Sequence, residues 1–187
     1  MSIIQVNHIQ SSCRSRLTTL IDLSDVNTTD PDERDNQFLT RALAAFAIAA
    51  AAKVDDSQAA KSVVDEFHDD GIDAFFFDRT EHVAYLVQSK WVKNGSSSMD
   101  LGSVLKFIQG VNHLLEGKVA QLGPKMQAKN QDIQDVLADS QATFVLIIAY
   151  TGKPALAVEV KAPLDQLLQD LNDDGDFVTG IQAKRAA

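Results

Sequence analysis

The sequence predicts an α/β fold in which α-helices flank a central mixed β-sheet. Two runs rich in β-branched and aromatic residues, 71–77 and 82–91, are separated by a polar four-residue turn, which indicates an antiparallel hairpin. A continuous apolar run from Phe144 to Tyr150 is typical of a strand buried on both faces of a partly parallel sheet. Helical patterns precede and follow the hairpin. The expected order is therefore helix, hairpin, helix, buried strand.

Before the hairpin, the pattern predicts two helices. Apolar positions favour a first helix from about Ile9 to Ile21. The break at Asp30-Pro31 predicts the start of a long second helix that runs to about Lys53, with Pro at its first position. Residues 55–60 are expected to be a connector, and residues 61–67 a short strand or the end of a helix.

After the hairpin, Asp100 is expected to cap a helix that ends at Gly117, because apolar residues recur at helical spacing between them. A further helix is predicted over residues 125–138. Pro163 is expected to begin a last helix, residues 164–171, which gives way to polar sequence at 172–176. No element is predicted beyond that point.

Composition limits the class of protein. The chain has 187 residues, 45% of them hydrophobic, which suits one domain with a sizeable core. Its formal net charge of −9 argues against a generic basic coat for nucleic acid. The single Cys13 excludes an internal disulfide framework. Neither a signal peptide nor an apolar run long enough to span a bilayer is apparent, so a cytoplasmic protein that does not enter membranes is expected.

Three polar side chains stand out within the hairpin. If the turn centres on Arg79-Thr80, Asp73 lies opposite Leu86 and shares a face with Gln88 and Lys90. A carboxylate, an amide and an ammonium on an apolar sheet are costly to bury without compensation. A hard divalent cation would compensate them and suits phosphate chemistry. A satisfied polar cluster, or an edge strand that faces water, explains the same pattern.

These residues also carry a resemblance. Gly71-Ile72-Asp73, followed after one strand and a turn by Gln88-Ser89-Lys90, resembles the PD-(D/E)xK core of Mrr-like restriction endonucleases in its Gln-x-Lys variant. More specifically, four segments in order resemble the amino-terminal region of abortive-infection phage-resistance proteins. They are residues 39–45, 70–74, 87–91 and 106–111.

The resemblance implies a restriction-endonuclease-like core over residues 31–161. An amino-terminal helical arm, 1–30, would precede it. Residues 162–187 would form a carboxy-terminal helix and the start of a linker to a downstream domain. The implied activity is a Mg²⁺- or Mn²⁺-dependent endonuclease that hydrolyses nucleic acid, with DNA favoured, in antiviral defence by abortive infection. A homodimer is compatible with it, since double-strand cutting often requires one.

The resemblance also implies roles for single residues. Asp73 and Gln88 would bind the metal, and Lys90 would complete the catalytic set. An acidic residue of the long helix often completes such a site, which points to Glu33, with Asp35 as the alternative; the helix dipole alone explains either acid. Asp70 is a further candidate ligand, within a cluster that also includes Asp65, Glu66 and Asp69.

Two other residues are candidates for contact with nucleic acid. Arg41 would stand near a phosphate or pair with an internal carboxylate. Gln109 would touch nucleic acid or make a hydrogen bond at the edge of the core. Among the histidines, His68 lies beside the acidic cluster and merits a test.

The neutral Gln88 leaves a second function open. An amide oxygen can bind Mg²⁺ but brings no charge to the site. Together with the net charge of −9, this allows a catalytically inactive module of the same fold that binds nucleic acid or protein. A pure oligomerisation domain is the third alternative.

Overall fold

The computed structural model describes residues 1–66, 70–153, 155–173 and 182–185. It is a mixed α/β structure with helices on both faces of a mixed sheet. The helices before the sheet are α1 (Ile3–Leu17), α2 (Pro31–Ala52) and α3 (Asp56–Lys61). Those that follow the hairpin are α4 (Leu101–Leu115), α5 (Pro124–Gln127), α6 (Asn130–Ala138) and α7 (Val158–Asp173), with a 3₁₀ turn at Val119–Gln121.

The sheet has the strand order β1-β2-β3-β4. Strands β1 (Ala74–Asp78) and β2 (Val83–Lys90) form the antiparallel hairpin that the sequence predicts. Strand β3 (Thr143–Tyr150) pairs in parallel with the whole of β2, which confirms the buried parallel strand. Strand β4 (Gln182–Arg185) pairs in parallel with the first half of β3.

Helix α2 begins and ends close to where its sequence signals predict. The Asp30 side chain accepts a hydrogen bond from the Asp32 amide, and Pro31 occupies the first turn. Its run of small residues lets it lie close to the sheet, with Ala42, Ala44 and Ala45 fully buried. Within the described parts of the chain, no helix is both long and apolar enough to cross a bilayer.

Each face of the sheet carries its own hydrophobic cluster. Alternate residues of the hairpin point to opposite faces, so Leu86 joins the cluster beneath α4, α6 and α7, while Val87 joins the cluster beneath α1 and α2. Helix α1 buries Val6, Cys13 and Leu17 in that second cluster. Residues 3–17 are therefore packed on α2.

Two elements in the amino-terminal half differ from the prediction. Helix α1 covers residues 3–17 rather than 9–21, because Ser2 and Gln5 form a capping box that starts it earlier. Residues 56–61 form the short helix α3, so the prediction of a connector is wrong. Asp55 accepts from the amide of Gln58 and caps this helix. After it, Val63 makes only an isolated bridge to Ala74.

Three elements in the carboxy-terminal half differ as well. The helix predicted over 125–138 is two helices, α5 and α6, which are separated by residues 128–129. Helix α7 begins at Val158, so Pro163 lies inside it and its ring cannot donate to the preceding turn. Strand β4 occupies residues 182–185, where no element was predicted; the segment Gln-Ala-Lys-Arg has little β-propensity of its own.

Candidate functional site

Asp73 lies directly before β1 and is only 3% exposed. One of its carboxylate oxygens, Oδ2, accepts three hydrogen bonds. The donors are the Ser89 amide at 2.5 Å, the Ser89 hydroxyl at 2.8 Å and Gln88 Nε2 at 3.2 Å. A buried carboxylate needs such donors to offset its lost hydration. These bonds fix the position of the carboxylate against the end of β2.

Gln88 presents the opposite situation at its other amide atom. The residue is 7% exposed, and its Oε1 is buried without a hydrogen-bond partner. Leaving a buried carbonyl oxygen unpaired costs roughly 1–3 kcal/mol. The same side chain therefore binds Asp73 through nitrogen and offers an unpaired oxygen beside it.

The hairpin register brings Asp73 and Gln88 together, although not in the predicted way. Ala74 pairs with Val87 and Asp78 with Val83, which places Asp73 beside Gln88 rather than opposite Leu86. The predicted register was wrong by two residues because the connecting turn lies one residue later in the chain. A shift of two preserves the face of every side chain, so the shared face of Asp73 and Gln88 survived the error.

Ser89 is a site residue that sequence reasoning missed. Its hydroxyl lies 2.8 Å from Asp73 Oδ2 and 3.0 Å from the carbonyl oxygen of Thr40 in α2. A hydroxyl has one hydrogen, so it donates to one of these acceptors at a time. The signal was its place between Gln88 and Lys90. The alternation of the strand assigned it to the opposite face and hid it.

Lys90, at the end of β2, is held by an acid from another element. Its Nζ lies 2.6 Å from Oδ2 of Asp100, and the Lys90 side chain is 36% exposed. Asp100 also accepts from the Ser103 amide as the amino-terminal cap of α4. The hydrogen bond from Lys90 holds the pKa of Asp100 well below its usual range. The sequence predicted the cap but not this ion pair.

The predicted helix acid, Glu33, lies in a separate cleft. Its carboxylate accepts from the Thr28 hydroxyl at 2.6 Å, and the cleft of about 190 Å³ that it lines also includes Arg41 and Asp65. Neither Asp73 nor Gln88 lines this cleft. Asp35, the alternative, forms an ion pair with Arg14 on the surface.

Arg41 is 2% exposed and is surrounded by acceptors. It donates through two nitrogens to Asp25, at 2.7 Å each, and to Asp65 at 3.0 Å. It also donates to the carbonyl oxygen of Asp22. Of the two roles that the sequence left open, the structure places Arg41 in the internal pair. Asp65 is correspondingly engaged by the guanidinium.

Asp70 faces α4 rather than Gln88. Its Oδ2 lies 3.6 Å from Nδ1 of His113. The turn that holds it packs tightly on the helix: Gly71 has φ +74°, and a Cβ there would lie 2.6 Å from the Phe107 nitrogen. Gly110 likewise lets the Asp70 carbonyl approach. His68 and Asp69 fall outside the described residues.

The remaining candidates do not add a ligand to the site. Gln109 is exposed on α4. Among the described residues, no three His, Cys, Asp or Glu side chains are grouped so as to hold a metal ion. The unpaired Gln88 Oε1 beside the Asp73 carboxylate is still a pair of hard oxygen ligands, the type that Mg²⁺ and Mn²⁺ accept, so these residues fit a cation.

No family model, curated protein or solved structure matches this chain. What the residues themselves can bind and do therefore decides the functional proposal.

Proposed function

We propose that this chain is a metal-dependent nuclease domain that hydrolyses phosphodiester bonds of nucleic acid, with DNA favoured over RNA. The observation that carries the proposal is the buried, unpaired Oε1 of Gln88 beside the Asp73 carboxylate. A buried oxygen without a donor is costly, and a cation that bound it would remove that cost. Lys90, two residues further along the same strand, places a positive charge at the end of the strand.

The order of elements supports a restriction-endonuclease-like core. Helix α2 precedes the antiparallel hairpin, α4 follows it, and β3 then pairs in parallel with β2. This is the helix, hairpin, helix and buried strand that the resemblance implies. The sheet also has helices on both faces, as that core requires.

Each site residue has a distinct role in this proposal. Asp73 and Gln88 would hold Mg²⁺ or Mn²⁺, which when bound polarises a phosphate oxygen and activates water for attack. Ser89 holds the Asp73 carboxylate in place through two hydrogen bonds. Lys90 would offset the negative charge that grows on the phosphate in the transition state. To do so it must exchange the Asp100 carboxylate for the phosphate.

The resemblance supplies the biological setting. It favours a cytoplasmic role in phage defence by abortive infection, with a downstream domain and a homodimer as further parts of the proposal. None of these follows from the chemistry of Asp73, Gln88 and Lys90.

A second candidate function is a nuclease-fold module that binds nucleic acid or protein without cutting it. The hydrogen bonding favours this alternative at one point, because Asp73 Oδ2 already accepts three donors and Lys90 is already paired. Such a site is satisfied without a cation. The two functions therefore separate on cation binding and on the need for Lys90.

The deciding experiment combines cleavage with cation binding. The purified chain is incubated with plasmid DNA and with RNA in the presence of MgCl₂ or MnCl₂, and cation binding is followed by calorimetry and by the fluorescence of Trp91, the single tryptophan, which adjoins Lys90. We expect Asp73→Asn to lose both cleavage and cation binding. Lys90→Ala should bind the cation and fail to cut, whereas Lys118→Ala, at the far end of α4, should behave as the parent.

Each other outcome has a definite meaning. A parent protein that binds neither cation nor cuts either substrate would favour the binding module. Cleavage that persists in Lys90→Ala at the parent rate would remove Lys90 from the mechanism. Cleavage of RNA alone would reverse the preference for DNA.

A further inference from the structure

The parallel pairing of β2 and β3 places the ends of both strands at one edge of the sheet. Lys90 and Tyr150, the last residues of the two strands, are register partners. The chain leaves this edge through residues 91–98 after β2 and residues 151–153 after β3. Ligands of α/β sheets commonly bind outside the carboxyl ends of parallel strands.

The two exit segments are joined into one surface. The Thr151 hydroxyl donates to the carbonyl of Val92 and accepts from its amide, at 3.0 and 2.7 Å. The Lys153 amide donates to the Ser97 carbonyl at 3.0 Å. Gly152 is required there, since a Cβ would lie 2.1 Å from the Ser97 oxygen. The backbone on which the side chains of this edge stand is thus held by several cross-links.

The charge of this edge differs from that of the whole chain. Residues 91–99 and 151–153 contain two lysines and no acid, in a protein whose net charge is −9. Both lysines, Lys93 and Lys153, are exposed, and no carboxylate of the described residues lies within ion-pair distance of them. Most other basic side chains that the structure describes do have such a partner, as in the surface pairs of Arg14, Arg16 and Arg79.

We propose that Lys93 and Lys153, together with Lys90, form a basic rim that binds the phosphate backbone of DNA and leads it to the site at Asp73 and Gln88. This inference rests on the proposed function, because it names the surface on which that substrate lies. Phosphate contacts by lysine position a nucleic acid without reading its sequence. A local basic rim also removes the objection that an acidic chain cannot hold a polyanion, since the field near an active site depends on the charges there.

The amino terminus of α4 adds to the same edge. Its cap, Asp100, is bonded to Lys90, so the positive end of a 15-residue helix adjoins the rim. The cap already satisfies the Ser103 amide, and the helix end acts here only through its dipole. Lys93 and Lys153 remain the groups that the test must change.

The test measures DNA binding where cutting cannot occur. A fluorescein-labelled DNA duplex is titrated with the protein in EDTA and in CaCl₂, over a series of NaCl concentrations, and anisotropy gives the dissociation constant. The rim variant is Lys93→Gln/Lys153→Gln. The control, Lys118→Gln/Lys129→Gln, removes the same charge from the far end of α4 and from the residue before α6.

We expect the rim variant to bind DNA at least tenfold more weakly than the parent at low salt, and to lower the slope of log K against log salt by roughly 1.8, which corresponds to two lost phosphate contacts. The control should stay within about twofold of the parent. Circular dichroism spectra of both variants should match the parent, since neither Lys93 nor Lys153 makes a side-chain bond in the described structure.

Equal weakening by the rim and control variants would overturn the rim, because it would show a general charge effect. So would tighter binding of RNA of the same sequence, or equal displacement of DNA by poly-glutamate, which would indicate a different partner. The rim and the nuclease can fail separately. A parent that cuts DNA in MgCl₂, with an unchanged KM in the rim variant, loses the rim alone. A parent that binds through the rim and cuts nothing loses the nuclease alone.

Discussion

At the scale of single residues, the site is defined by how one amide is shared. Gln88 gives its nitrogen to Asp73 and keeps its oxygen buried and unpaired. Glutamate in its place would put a second carboxylate beside Asp73, and two such groups cannot both stay ionised in a buried site without a cation. The residue at position 88 therefore controls how strongly the protein depends on metal.

Gln88→Glu should separate stability without metal from stability with metal. In EDTA at neutral pH we expect a free energy of unfolding lower by roughly 2–4 kcal/mol, because a buried charge is uncompensated. Millimolar MgCl₂ should restore most of that loss by binding the folded state. Urea unfolding with and without MgCl₂ measures both effects. Gln88→Met, which removes the unpaired oxygen, should show no response to MgCl₂; a Gln88→Glu protein equally indifferent to it would contradict a cation at this site.

Arg41 predicts a pH dependence of stability. Its hydrogen bonds hold the pKa of Asp25 below the usual range, so the pair stabilises the fold fully above about pH 4 and loses that contribution as the pH falls through the folded-state pKa. Arg41→Met should cost roughly 3 kcal/mol at pH 7, because it leaves Asp25 and Asp65 without their main partner.

The difference between Arg41→Met and the parent should shrink below pH 4, where the stranded carboxylates take up protons. Denaturant unfolding between pH 7 and pH 3 measures it. Arg79→Met is the matched control, since Arg79 forms an exposed ion pair with Asp132 and Asp135 and should cost less than about 1 kcal/mol. A difference that stays constant with pH would show that lost packing, not charge, explains the effect.

At the scale of elements, α4 sets the position of the turn that leads to Asp73. Gly110 allows the Asp70 carbonyl to approach so closely that an added Cβ would lie 2.3 Å from its oxygen. The contact is with backbone, so it cannot be relieved by moving a side chain. The turn at residues 70–71, and with it the start of β1, must shift if position 110 gains a methyl group.

Gly110→Ala should therefore destabilise the fold by roughly 1–3 kcal/mol through overpacking, although alanine favours helix. Gly102→Ala, in the same helix, meets its nearest atom at 3.4 Å and should be neutral or stabilising by up to about 1 kcal/mol. Thermal unfolding of the two variants compares them directly. Equal stability of both would show that the turn moves freely from α4.

The elements also show what a sequence can and cannot predict. The hairpin, α4 and β3 were predicted because their apolar periodicity is strong and their ends carry Asp100 and Gly117 as caps. The register failed because turn residues 79–82 give no unique centre. Strand β4 was missed because its pairing with β3, rather than its own composition, makes it a strand.

The site was predicted only as far as strand alternation reaches. Asp73 and Gln88 were placed on one face, and the structure joins them by a hydrogen bond. Ser89 and Asp100 act across faces and between elements, through contacts with Asp73 and Lys90 that depend on tertiary packing. No local pattern encodes such a contact.

At the scale of the whole molecule, one sheet supports two hydrophobic clusters, and α1 belongs to one of them. That cluster joins α1 and α2 to Val87 and Trp91 of the strand that carries the site. Small single domains usually unfold in one cooperative step. A helical arm independent of the core would instead unfold without disturbing the sheet.

Leu17→Ala distinguishes these arrangements. Leu17 is 1% exposed in α1, and its truncation should cost roughly 2–5 kcal/mol by leaving a cavity. If α1 unfolds together with the sheet, the loss should appear equally in Trp91 fluorescence and in far-ultraviolet circular dichroism, with coincident urea transitions. Leu20→Ala, at an exposed position just after α1, should change stability by less than about 0.5 kcal/mol. A Leu17→Ala protein whose Trp91 transition matches the parent, while part of its helical signal is lost earlier, would show that residues 1–30 are a separate arm.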